Sequence, residues 1–248
     1  MADPIHQFVI TPIIPFEAGG LDLSFTNSSL WMAIAVISSI TFLSIAMRDK
    51  AMVPGRLQMS AEMIYQFVAN MVRENVGSKG REYFPLVFTL FMVVLMGNML
   101  GMIPYSFTYT SHLIVTAALA LVIFLTVLII GIVRHGLHFF KLFVPPGAPL
   151  WLFPLIIPIE ILSFLVRPVT LSVRLFANMM AGHLVLKVFA GFSVSMMGLG
   201  AAGFFMGIVP AAFNVALIAF EFLIAFLQAY VFAVLSCIYL KDTIEIGH

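Results

Sequence analysis

Charge is the scarcest property of this sequence. Only 9% of its 248 residues are Asp, Glu, Lys or Arg, whereas about 25% is usual for soluble proteins. Hydrophobic residues make up 62%, and the mean hydropathy is +1.12. A soluble domain of this length would still need a polar surface. The composition therefore excludes a soluble globular protein and indicates that lipid surrounds most of the chain.

Cysteine and excess basic charge are also scarce. The single cysteine, Cys237, excludes an intramolecular disulfide and a cysteine-based metal site, and we interpret it as an inert core or lipid-facing residue. A net charge of +1 argues against a nucleic-acid partner. The six histidines are scattered along the chain, so we expect neither a metal site nor a cofactor. Residues 1–29 lack the basic start of a signal peptide.

The apolar runs predict an all-α integral membrane protein with several crossings. A crossing helix needs about 20 apolar residues, and residues 30–47, 84–103 and 113–133 each meet that need. Residues 149–240 are apolar almost throughout and are long enough for two or more further helices. Because the connections are short, we predict a single membrane domain over residues 1–248.

Basic residues alternate between the connections, and this alternation predicts the orientation. Residues 1–29, 105–111 and the Gly-rich connection 191–209 contain no Lys or Arg and are expected outside. The connections expected inside carry Arg48, Lys50, Arg56, Arg73, Lys79 and Arg81, then Arg134 and Lys141, and finally Lys241. The N-terminus is therefore predicted outside and the C-terminus inside the cell.

Two segments have alternative interpretations. Residues 55–75 repeat apolar residues at helical spacing among polar ones, which predicts an amphipathic helix that lies at the cytoplasmic interface or docks a partner helix. Residues 149–189 would form about 60 Å of helix, twice the hydrocarbon thickness of about 30 Å. Its prolines could break it into a hairpin; otherwise it lies steeply tilted.

Ionisable residues within the C-terminal apolar region indicate an ion path, because charge at bilayer depth costs several kcal/mol. These residues are Glu160, Arg167, Arg174, His183, Lys187 and Glu221. Snorkelling towards the interface would explain Lys187 and Arg167, but not Arg174. Three of the six are basic and two are acidic, so one positive charge is predicted to take its anion from another subunit, because arginine keeps its proton.

Helical spacing arranges these residues in stripes. At about 100° per residue, one face carries Glu160, Ser163, Arg167, Thr170, Arg174 and Asn178, while His183 lies about 180° from Arg174. A second stripe repeats every seven residues, at Asn214, Glu221 and Gln228. Such stripes can be interhelical hydrogen-bond seams. However, imidazole titrates near neutral pH, so His183 with Glu221 also suggests a proton relay.

Residues 172–183, Ser-Val-Arg-Leu-Phe-Ala-Asn-Met-Met-Ala-Gly-His, closely resemble subunit a of F-type ATP synthases. Residues 97–104, Gly-Asn-Met-Leu-Gly-Met-Ile-Pro, and residues 221–230, Glu-Phe-Leu-Ile-Ala-Phe-Leu-Gln-Ala-Tyr, support the resemblance. With the layout of spans it covers nearly the whole chain, and the variant looks alphaproteobacterial.

The resemblance implies a proton-conducting stator subunit, not an enzyme on its own, in a bacterial inner membrane with a periplasmic N-terminus and a cytoplasmic C-terminus. Its partners would be a c-subunit ring with a carboxyl group per subunit, b-type peripheral stalk subunits and the rest of the ATP synthase. The last two long segments would form a strongly tilted helical hairpin facing the c ring. Arg174 matches the family's essential arginine and Asn178 its neighbour. His183, Asn214, Glu221 and Gln228 fall in the outer half-channel, and Glu160, Ser163 and Thr170 fall in the inner one.

Many bacterial relatives of this family carry Glu where this chain has His183, and His where it has Glu221. The exchanged pair supports direct cooperation of the two residues. Two rival classes remain: a respiratory-complex subunit would repeat Lys and Glu sites along the chain, and a membrane scaffold would tolerate neutral substitution of Arg174 and Glu221. The transported ion is expected to be a proton rather than sodium.

Overall fold

Helices account for most of the structure. The computed structural model describes residues 8–18, 21–22, 24–48, 51–103, 106–136, 139 and 152–244. Within these residues there are six α-helices: α1 (Asn27–Ala46), α2 (Arg56–Val76), α3 (Phe84–Gly101), α4 (Leu113–His135), α5 (Phe153–Met197) and α6 (Ala201–Ile244). All except α2 are long and apolar enough to cross a membrane. An all-α, polytopic membrane fold is confirmed.

Parts of the predicted connections lie outside the described residues. These include Lys50, Pro104, Tyr105, Lys141 and Pro149. Between α4 and α5 the structure therefore describes only Gly136, Phe139 and Leu152.

The N-terminal segment contains short strands that the sequence did not predict. Strand β1 (Pro12–Ile14) pairs antiparallel with β4 (Phe25–Thr26), and β2 (Glu17–Ala18) pairs antiparallel with β3 (Leu21–Asp22). Strands of two or three residues are too short to show the alternation of side chains by which a strand is recognised.

Helix α1 begins three residues before the predicted span because its first turn is capped. The hydroxyl of Thr26 accepts a hydrogen bond from the backbone N–H of Ser29, which satisfies one of the free donors at a helix start. The Asn27 amide donates to the carbonyl of Val9, so the same turn is tied to the N-terminal segment.

Helix α2 coincides with the predicted amphipathic segment. One face buries Ala61, Val68, Met71, Val72 and Val76, and the opposite face is exposed. The helix ends at Gly77, whose φ of 76° is readily adopted only by glycine. A 3-10 helix (Ser78–Tyr83) then leads directly into α3.

Helix α5 is a single helix, so the alternative of a broken hairpin within residues 149–189 is wrong. It has 45 residues and contains Pro158 and Pro168 without interruption. At 1.5 Å per residue it is about 68 Å long, more than twice the hydrocarbon thickness. A helix of this length cannot stand upright inside the bilayer core, which leaves the tilted alternative.

The Gly-rich connection predicted over residues 191–209 is also wrong, because α5 and α6 both continue into it. The chain turns only at residues 198–200, where Gly200 adopts a φ of 97°. Gly207 serves helix packing: the Ser193 hydroxyl donates to the carbonyl of Gly207 at 2.8 Å, and a side chain at position 207 would collide with Met197. In an apolar segment, helical glycine permits this close approach.

The chain forms two compact units. The first consists of Met1–Thr41, Val93–His112 and Leu175–Ala229, and the second consists of Phe42–Met92, Leu113–Arg174 and Tyr230–His248. Helices α5 and α6 contact each other as an antiparallel hairpin in both units. In the first unit Phe189 packs against Phe213, and in the second Arg167 pairs with Asp242.

Candidate functional site

His183 and Glu221 meet in the interior of the first unit. The Nδ1 atom of His183 lies 3.7 Å from Oε1 of Glu221, and both side chains are buried. Position 183 on α5 and position 221 on α6 face each other because the hairpin pairs the helices in antiparallel order. The structure thus brings together the two residues that the sequence suggested as a relay.

Asn178 and Gln228 form the next polar contact along the same hairpin. The Asn178 amide donates to Oε1 of Gln228 at 3.0 Å. Gln228 is buried, whereas Asn178 is exposed. Seven residues separate Glu221 from Gln228, which is about two helical turns, so both polar contacts lie on one face of α6.

Several buried polar atoms of the first unit have no hydrogen-bond partner among the described residues. They are Oε1 and Oε2 of Glu221, Nε2 of Gln228, Oδ1 of Asn214 and Oδ1 of Asn98. Buried polar groups are normally hydrogen-bonded, so each exception calls for a reason. Three of these residues form the predicted heptad stripe of α6: Glu221 and Gln228 are buried, Asn214 is half-buried, and each has a buried polar atom without a hydrogen bond among the described residues. These are properties of a path that accommodates water or protons.

Two residues of this site were missed by the sequence analysis. The hydroxyl of Thr108 lies 3.1 Å from Nε2 of His183, on the side of the ring opposite to Glu221. The Asn98 amide donates to the carbonyl of Ala225, one turn from Glu221. Asn98 lies within the motif of residues 97–104, and this motif is the signal that could have indicated it. Thr108 lies in a connection, and no sequence pattern links it to His183.

Arg174 is exposed, and it forms no ion pair with any carboxylate in the described part of the chain. The positions that the sequence placed on its stripe are not buried either: Ser163, Thr170 and Asn178 are exposed, and Glu160 is half-buried. The stripe therefore borders the free surface of α5, whereas His183 points into the protein.

The charge count made from the sequence was wrong in one respect. Arg167 has a partner inside the chain, because its guanidinium donates to Oδ2 of Asp242 at 2.9 Å. Arg167 also lies over the rings of Phe164 and Tyr239. Asp242 was not counted because it follows the apolar region in sequence; the antiparallel hairpin returns it to the level of Arg167. Arg174 remains the cation of the stripe without an internal partner among the described residues.

Lys187 lies close to the N-terminal segment. Its Nζ is 5.7 Å from the centroid of the Phe8 ring, a distance typical of a cation–π contact. The ring of Phe8 also approaches the ring of His183, with 6.5 Å between the centroids. Phe8 thus lies close to both Lys187 and His183 within the first unit.

The two predicted half-channels separate between the two units. Asn178, His183, Asn214, Glu221 and Gln228 belong to the first unit, and Glu160, Ser163 and Thr170 belong to the second. Arg174 is the last residue of its segment in the second unit. No group of three or more potential metal ligands occurs among the described residues.

Comparison with known proteins gives a consistent result. The family model of the ATP synthase A chain matches residues 29–241. The protein named ATP synthase subunit a from Parvibaculum lavamentivorans is 54% identical over 99% of this chain and 95% of its own length. Those of Mesorhizobium japonicum and Agrobacterium fabrum are each 55% identical, over 99% of this chain and 98% and 99% of their own lengths. The chain belongs to the ATP synthase A chain family.

Proposed function

We propose that this chain is the stationary proton pathway of an ATP synthase and provides two offset half-channels on either side of Arg174. It is a non-catalytic, multi-pass membrane subunit that requires no cofactor and carries protons in preference to sodium. The observation that carries the proposal is the buried contact between His183 and Glu221. The carboxylate oxygens of Glu221 have no hydrogen bond among the described residues.

The outer half-channel consists of the polar residues of the first unit. A proton from outside passes the Asn214 region, reaches Glu221 and His183, and leaves by way of Gln228 and Asn178. Thr108 holds the imidazole from its other side. The 3.7 Å between Nδ1 of His183 and Oε1 of Glu221 is longer than a hydrogen bond, so a proton passes between them through one water or after a small approach of the two side chains.

Arg174 faces the c-subunit ring and separates the half-channels. The exposed Arg174 guanidinium has no carboxylate partner among the described residues, so it can attract a carboxylate of another subunit, and arginine keeps its proton in proteins. It holds the ionised carboxylate of a c subunit until that group takes a proton from the outer half-channel. A neutral carboxyl group then rotates into lipid at much lower cost than a charged one.

The inner half-channel releases the proton after nearly a full turn of the ring. Thr170, Ser163 and Glu160 lie along one side of α5 and lead from Arg174 towards the helix start. None of the three is buried, as expected for side chains that line a path between this chain and the ring. The membrane potential supplies about 2.3 kcal/mol per charge per 100 mV.

The location is a bacterial inner membrane, with a periplasmic N-terminus and a cytoplasmic C-terminus. The basic connections support this orientation. The ion pair between Arg134 and Glu82 joins the end of α4 to the 3-10 helix before α3, so these two connections lie on the same side, as the orientation requires. The whole chain acts as one membrane domain, with α2 at the cytoplasmic interface. A c ring, b-type stalk subunits and the remaining ATP synthase subunits are its partners.

The experiment is passive proton flux through vesicles that contain this chain and its c ring without the soluble catalytic head. Glu221→Gln should abolish the flux, because the amide cannot release a proton. Glu82→Gln is the matched control, since Glu82 is exposed and lies in the other unit. Flux that is unchanged by Glu221→Gln would support the rival scaffold function, in which the polar stripe only joins helices.

A further inference from the structure

A second polar site lies within the second unit. It is a cavity of about 490 Å³ between α2, the 3-10 helix and the start of α3. Its lining consists of Tyr65, Ala69, Val72, Arg73, Gly77, Ser78, Arg81, Phe84 and Pro85. Two arginines and a hydroxyl thus border the same space as two aromatic rings.

The arginines of this cavity differ from others in the same unit. Arg134 pairs with Glu82 and Arg167 pairs with Asp242. Arg73 and Arg81 form no ion pair with a carboxylate in the described part of the chain, and both are exposed. Two guanidinium groups beside one cavity form a set of donors that suits a phosphate group, which guanidinium can bind through two parallel hydrogen bonds.

The apolar wall of the cavity indicates what the phosphate is attached to. Tyr65 and Phe84 pack edge to face with 4.8 Å between ring centroids, and Phe84 is the first residue of the membrane helix α3. On α2, Met59 and Met63 expose about half of their surface. Apolar side chains exposed on an amphipathic helix, next to the end of a membrane helix, are typical of the headgroup region of a bilayer.

We propose that this cavity binds the phosphate of an anionic phospholipid, with Arg73, Arg81 and Ser78 on the headgroup and Tyr65 and Phe84 beside the start of the acyl chains. Basic pockets near membrane helices are a recognised type of headgroup site. Gly77 shapes the cavity, because its positive φ ends α2 and turns the chain so that Arg73 and Arg81 border one space.

The test is lipid binding to the complete ATP synthase in detergent. Phosphatidylglycerol and phosphatidylcholine of equal chain length are titrated separately, and bound lipid is counted by native mass spectrometry. The variant Arg73→Gln/Arg81→Gln should bind phosphatidylglycerol at least ten-fold more weakly, with phosphatidylcholine unchanged. Arg56→Gln is the matched control, because Arg56 is exposed on the same helix outside the cavity.

Each of four outcomes would overturn the proposal. Phosphatidylglycerol binding by the double variant equal to the wild type would show that the arginines hold no lipid. If millimolar inorganic phosphate displaced phosphatidylglycerol from the wild type, the site would be assigned to the free anion. Loss of stalk subunits from the variant complex, with lipid binding intact, would make the cavity a protein interface. If the double variant does not assemble, a photoactivatable phosphatidylglycerol added to the wild type must label residues 65–85; labelling elsewhere only would contradict the site.

Discussion

The carboxylate of Glu221 occupies the space that a side chain at Gly182 would fill. A β-carbon built at position 182 would lie 2.5 Å from Oε1 and 3.0 Å from Cδ of Glu221. Gly182 directly precedes His183, so the absence of a side chain at this position lets the carboxylate approach the imidazole. The contact between His183 and Glu221 therefore depends on a third residue that carries no polar group.

Replacing Gly182 by Ala should impair proton conduction without changing any titratable group. The new methyl group must displace the flexible Glu221 carboxylate from its position beside His183. We expect passive proton flux to fall by about ten-fold, since one water or a small side-chain movement can bridge the present 3.7 Å but not a wider separation. Gly191→Ala is the control, because a β-carbon at that position meets no atom within 4 Å. Equal flux in both variants would show that the exact place of the carboxylate is unimportant.

Thr108 should tune the relay through the imidazole of His183. Thr108→Val removes the hydroxyl that lies 3.1 Å from Nε2 and leaves a side chain of the same shape. A buried hydrogen bond contributes about 1 kcal/mol, so we expect about a five-fold lower proton flux in the same vesicles. Thr126→Val is the comparison, because the exposed Thr126 bonds only within its own helix. The positioning role is rejected if the two valine variants conduct alike.

Arg174→Ala should abolish coupled ATP synthesis while the complex still assembles. The side chain is exposed and pairs with no carboxylate in the described residues, so its removal leaves no buried group unpaired. Subunit composition by gel electrophoresis and ATP synthesis under an imposed proton gradient measure the two properties separately. Robust coupled synthesis in the assembled variant would remove Arg174 from the mechanism.

The Arg167–Asp242 pair should stabilise the hairpin and not conduct protons. Arg167→Gln and Asp242→Asn should each lower the thermal midpoint of the assembled complex. In a double-mutant cycle, the interaction between the two residues should amount to about 1 kcal/mol. The exchange Arg167→Asp/Asp242→Arg should recover part of that loss. For the more exposed pair Arg134–Glu82 we expect a smaller coupling. Independent effects of the two residues, with no coupling, would contradict a stabilising pair.

Sequence analysis located the membrane helices well because apolar runs of about 20 residues have few other uses. Helices occupy each predicted span, and the suggested relay of His183 with Glu221 corresponds to a contact in the structure. The seven-residue spacing of Asn214, Glu221 and Gln228 places them on one face of α6. The spans and the stripe depend on local periodicity, which a single helix preserves, whereas the pairing of His183 with Glu221 was suggested by the chemistry of the two side chains.

What the sequence could not supply are contacts between distant parts of the chain. Asp242 lies 75 residues after Arg167, and Thr108 lies 75 residues before His183. Neither pair lies within one helix, so no helical repeat in the sequence predicts its contact. The glycines around residue 200 misled in the opposite direction, because glycine interrupts helices in water but serves helix packing in an apolar segment.

The antiparallel register of α5 and α6 places a constraint on chain length. Within the first unit, Ser193–Gly207, His183–Glu221 and Asn178–Gln228 are successive steps of one pairing. Deleting one residue within either helix would rotate everything beyond it by about 100° and break every pair farther from the turn. Only residues 198–200 could change in number without this effect. Evolution of the hairpin is therefore restricted to substitutions, with insertions and deletions confined to its tip.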